Sequence, residues 1–146
     1  ENGKVLHNKP YLHDSIKSVI SHFFRDTRSI GSRNLSRFKT SFPDDPNCQE
    51  PEATIPLVAF ATAMIHAALL CWQSGTYHHI KFSADDHFNA YTHHVRILET
   101  IRQRKPKAFH KLMAELLSDA IHGAQRDTTT NDEATIATVD FDAMED

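Results

Sequence analysis

Eleven histidines are scattered through the chain, and their spacing decides what chemistry they can do. A metal site on one helix needs ligands at i and i+3 or i+4, where two side chains share a face and reach one ion. No two histidines here are three or four residues apart. His87 and His94 stand seven apart, roughly 10 Å along a helix, too far to share an ion. His78-His79 and His93-His94 are adjacent pairs, whose members point apart on a helix. Cys48 and Cys71 have no second Cys or His within four residues. The spacing therefore predicts no metal centre, and no cofactor motif accompanies it.

His66 stands out because it sits inside an otherwise apolar run. A histidine buried there needs a hydrogen-bond partner. A pocket near His66 is thus the place to expect an enzymatic site, if there is one. Glu115, Asp119 and His122 fall at i, i+4 and i+7, which suits an acid–base cluster. The same spacing is also that of a solvated helix face, with charge pairs worth a few tenths of a kcal/mol each. No nucleophile elbow, phosphate-cradling loop or dinucleotide fingerprint is present, and four glycines are too few for the last two. No catalytic residue is assigned.

Two basic clusters suggest anion or nucleic-acid binding instead. Arg25, Arg28, Arg33, Arg37 and Lys39 form one; Arg102, Arg104, Lys105, Lys107 and Lys111 form the other. Phosphate neutralisation requires such cations on one face. Residues 1–126 hold all sixteen Lys and Arg against twelve acids, a net of +4, which is modest for that role. Residues 127–146 hold seven acids and no Lys or Arg, a net of −7. Within this acidic tail, Ile136, Val139 and Phe141 are spaced like a short partner-binding motif.

Helices must position these groups. Leu12, Ile16, Val19, Ile20 and Phe23 recur on one helical face and predict a helix from about Tyr11 to Arg25, with Pro10 in its first turn and Gly31 ending the segment or the turn after it. Residues 32–54 read as a long exposed connection, broken by Pro43, Pro46 and Pro51 and tied down at Phe38 and Phe42. Ile55 to Trp72 is the most apolar stretch, with apolar residues around nearly its whole circumference, and is expected to be the buried central helix. A membrane span is the competing reading. Eighteen residues lie at its short limit, and the flanks lack the basic and aromatic anchors of two interfaces. Gly75 supplies a stop, and Ser83 caps a helix running to about Arg104. After Pro106, a last helix from Lys107 to His122 is expected to close at Gly123.

The blocks VLHNKPYLHDSIKSVISHFF, FKTSFP, IPLVAFATAMIHAALLCWQSG, FSADDHFNAYTHHVRILETI and KPKAFHKLMAELLSDA resemble, in order, an uncharacterised domain family abundant in mushroom-forming basidiomycete fungi. That resemblance covers roughly residues 4–124. It implies a fungal source, an all-helical fold and a chain corresponding to the C-terminal portion of a longer domain. It brings no catalytic residue.

The expected architecture is all-α, an irregular bundle of about four main helices around a central buried one. Residues 1–124 would form the body and residues 125–146 an acidic, partly disordered tail. Two cysteines in unlike settings suit free thiols and an intracellular location, cytoplasmic or nuclear. A non-enzymatic interaction module binding protein or nucleic acid, with no membrane partner, is the favoured function. The alternatives are an enzyme with its pocket at His66 and a truncated, non-functional product.

Overall fold

The computed structural model describes residues 10–138, with side chains as far as residue 124, and all regular structure in that span is helical. The helices are α1 Asp14–Ser21, α2 Ile30–Arg33, α3 Ile55–Leu70, α4 Ala84–Arg104 and α5 Pro106–Thr138. Single 3-10 turns at His22–Phe24 and Leu35–Arg37 extend α1 and follow α2.

Local chemistry sets most boundaries. α1 starts later than its apolar pattern suggests, because Tyr11 takes a left-handed φ of 67°, uncommon for a bulky residue. The helix begins at Asp14, where His13 Nδ1 accepts the Ser15 N–H at 3.2 Å. Gly31 does not end a helix but sits inside α2. A Cβ there would come within 2.7 Å of the Phe24 ring, so glycine lets this turn lie directly on Phe24. Thr54 caps α3 and Pro56 occupies its first turn. Beyond Leu70 the chain turns at Gly75, whose φ of 82° favours glycine. Ser83 Oγ accepts the Asp86 N–H at 3.2 Å and caps α4, as expected. A single residue, Lys105, separates α4 from α5.

α5 departs from expectation at its far end. It does not close at Gly123 but continues to Thr138. A lone glycine inside a helix costs about 1 kcal/mol, and here packing continues past it. Ala124 is buried, and Gly123 itself faces Ser21 of α1. Ile136 lies on this extension, while Val139 and Phe141 fall outside the described residues.

α1, α3, α4 and α5 enclose one core, with α3 packed on α4 and α1 on α5 as the broadest contacts. The largest fully buried side chains are Ile20, Val58, Leu98, Met113, Leu116 and Leu117, so α5 supplies half of them. α3 buries Val58 and an alanine series at 59, 61, 63 and 67, but Phe60, Met64 and Leu69 remain exposed. Small residues let its neighbours approach closely on one side and leave the bulky ones uncovered on the other. Among the described residues no helix is long and apolar enough to cross a membrane.

Candidate functional site

The uncovered side of α3 continues into the α3–α4 connection. Among the described residues, eight of the ten exposed large hydrophobic side chains fall between Phe60 and Phe88. Residues 53–80 contain no Asp, Glu, Lys or Arg. The rings are organised rather than scattered. Phe60 stands edge-on to both Phe23 and Phe82, each at 6.3 Å between centroids, and Trp72 packs on Tyr77 at 5.3 Å. Phe82 stacks on His87 at 4.8 Å, and His66 meets the same imidazole edge-on at 6.5 Å.

The buried histidine of this region is His87 and not His66. His66 is exposed, so the expectation of a buried histidine at that position is not met, and it does not line the cavities of about 710, 420, 420 and 390 Å³ among the described residues. Its position on α3 falls on the uncovered side. His87 is the buried one, 5% exposed, and its Nε2 has no hydrogen-bond partner among the described residues. His94 lies in the same region. Its pKa is lowered by burial and then by His93 and His66, which keeps the ring neutral opposite the Tyr11 hydroxyl 3.1 Å away. Burial pushes the Tyr11 phenol up to about 12.

A second constellation lies where the 38–54 connection crosses α5. His110, 4% exposed, places Nδ1 2.6 Å from Glu52 Oε1 and Nε2 3.3 Å from Glu50 Oε2. Both nitrogens meet carboxylate oxygens, an arrangement that favours the imidazolium, in which both carry hydrogens. Burial pulls His110 down, but the hydrogen bonds and charges of Glu52 and Glu50 more than offset it and hold the imidazole above its usual range. Glu52, 5% exposed, also accepts from the Ser41 N–H at 2.6 Å and the Ser41 hydroxyl at 2.8 Å. The Phe42 ring stands edge-on to the imidazole at 5.7 Å, and the Ala53 N–H donates to the Met113 carbonyl at 3.0 Å.

An open cavity of about 710 Å³ adjoins this pair, and His110, Glu50 and Cys48 help to line it. Burial, then the Asp45 carboxylate, raises the Cys48 thiol, the opposite of what an activated nucleophile requires. Among the described residues no group of three His, Cys, Asp or Glu could hold a metal ion.

This pair is hidden in the sequence because the acids around Pro51 read as solvated loop charge. The signal was His110 itself. It stands three residues before Met113 on the apolar stripe of α5, where a polar ring requires a partner.

The basic clusters converge in part. Arg37 and Lys39 share the cavity of about 390 Å³ with Arg102, together with Glu52 and Glu99. Arg102 is paired with Glu99 at 2.6 Å. Lys107, paired with Asp45 at 3.1 Å, and Lys111 line the His110 cavity instead. Arg33, Arg104 and Lys105 line none of the four. Asp119 is bound to Lys17 of α1 at 2.6 Å, and His122 Nδ1–H donates to the Ser118 carbonyl at 2.7 Å. Asp119 and His122 of the Glu115–Asp119–His122 series thus serve inter-helix and local pairing.

The family model described as Domain of unknown function (DUF6532) matches residues 1–101, and the chain belongs to that family. The match reaches into α4, and α5 lies beyond it. No curated protein and no solved structure matches the chain.

Proposed function

We propose that this member of a family of unknown function is a non-enzymatic helical interaction module that docks the apolar face of a protein partner between Phe60 and Phe88. The observation that carries this is the concentration of exposed large apolar side chains between Phe60 and Phe88, a stretch whose first part, residues 60–80, carries no formal charge. Interface cores are enriched in Trp, Tyr, Phe and Met and depleted in charge. Contiguous apolar surface of this kind marks interaction sites. Trp72 and Tyr77 belong to the residue types that most often dominate binding energy.

A protein partner is favoured over nucleic acid for two reasons. Phosphate binding needs several cations, and residues 60–88 have one, Lys81, against Asp85 and Asp86. Arg102 and Lys107, two of the candidate phosphate ligands, already hold carboxylates. The same proposal includes a basidiomycete source, supported by the residue blocks, an intracellular setting, supported by two cysteines in unlike settings, and residues 125–146 as an acidic tail, supported by the charge division.

The test is proximity labelling in the source cells followed by reconstitution with the purified partner. Hydrogen exchange of the complex is expected to show protection within residues 60–88. The Phe82→Ser/Phe88→Ser double variant is expected to lose the partner while keeping its helical circular dichroism. Protection confined to residues 25–39 and 102–111 would overturn the proposal in favour of the basic surface.

A further inference from the structure

The His110 cavity lies apart from the aromatic face and has its own chemistry. We propose that it binds a small monocarboxylate with an apolar body, seated with its carboxylate on His110 Nε2 and its chain along α5. The cavity's volume, about 710 Å³, lies within the range of small-molecule sites. Pro51, Ala114, Leu117 and Ile121 give it an apolar wall suited to a hydrocarbon body.

The head-group position follows from the two unequal carboxylates on His110. Glu52 is buried, holds Nδ1 at 2.6 Å and is itself fixed by Ser41. It orients the ring and fixes the direction of Nε2. Glu50 meets Nε2 at the longer distance of 3.3 Å, and its side chain is 65% exposed. Glu50 therefore shows that a carboxylate fits at Nε2, while holding that place through a solvated side chain that a ligand can displace. In the exchange the imidazole N–H keeps a carboxylate acceptor, the ligand's in place of Glu50's.

The remaining charges around the imidazole agree with an anionic head. On the connection, Asp45 is committed to Lys107, and Cys48 stays a neutral thiol. On α5, Lys111 is exposed and has no ion-pair partner among the described residues, so it is placed to add a cation at the rim. Glu115 and His122 line the same cavity further along the helix. Glu99 and Arg102 face Glu52 from the cavity of about 390 Å³ on its other side and are paired with each other.

Octanoate is the probe, with 1-octanol and octylamine as controls, read by the His110 ring resonances and by thermal shift at pH 6. Octanoate is expected to bind at least tenfold more tightly than either control, the worth of a charge-assisted hydrogen bond. Glu50→Ala removes the internal competitor without touching the core and is expected to raise octanoate affinity severalfold. Ala114→Trp fills the cavity and is expected to abolish binding while helical content stays unchanged. Affinity is expected to fall as the pH rises and His110 loses its proton. Octanol binding as tightly as octanoate, no gain in Glu50→Ala, or no octanoate binding by either protein would each overturn the proposal.

Discussion

Glu52→Ala is the most informative single substitution in this molecule. It removes a buried carboxylate that accepts three hydrogen bonds, two from Ser41 and one from His110. What remains is a buried imidazole with one solvated partner and a Ser41 N–H with none from that carboxylate. Breaking a buried pair by deleting one member costs about 3–5 kcal/mol, a large part of the roughly 5–15 kcal/mol that typically holds a domain. With a urea m-value of about 2 kcal/mol/M, the unfolding midpoint should fall by roughly 2 M. The pH dependence gives a second readout. His110 has a folded pKa above its ordinary 6.5. Its contribution is therefore complete below that value and is lost as the pH rises through the folded pKa. The stability gap between wild type and variant, measured by urea unfolding followed by circular dichroism, should be widest near pH 6 and narrower at pH 8.5. A penalty under about 1 kcal/mol, or a gap that widens with pH, would refute the reasoning.

Four further outcomes follow from other parts of the fold. His87→Leu should stabilise the protein by about 1 kcal/mol, because it replaces a buried nitrogen lacking a protein partner with an apolar group; a lower melting temperature would show that Nε2 is satisfied. Leu116→Ala should cost about 2–5 kcal/mol in chemical unfolding, since its side chain is fully buried in the core. Ser83→Ala should cost about 1 kcal/mol through loss of the α4 cap, with amide exchange quickening in the first turn of that helix. Gly31→Ala should be destabilising despite its helical setting, because the added methyl collides with Phe24, and a gain in melting temperature would contradict that contact.

Periodicity and punctuation made much of the fold legible. Ser83, Pro106 and the stripe from Phe109 to Ala120 lie where their residue types place them. Tyr11 and Gly123 did not behave so. Tyr11 is left-handed beside His94, from a distant helix, and Gly123 stays helical because Ala124 is buried one residue later. Tertiary contact overrides a local signal in both, and single-helix patterns carry no information about it. The candidate sites fared less well for the same reason. A helical wheel shows that α3 is apolar all round; which side goes uncovered depends on where α1 and α4 lie. Glu52 and His110 meet only when the proline-rich connection folds back onto α5, so their pairing has no signature in sequence spacing.

The contact of α1 with α5 sets the order in which this protein can mature. α1 precedes α5 in the chain, so Ile20 has no finished core to enter until Met113, Leu116 and Leu117 follow it out. During translation the faces of α1 and α4 that pack on α5 therefore wait in water, and the core closes when α5 docks. Chains that stall before that helix emerges are the aggregation-prone species of this protein, and they should be the ones that chaperones retain.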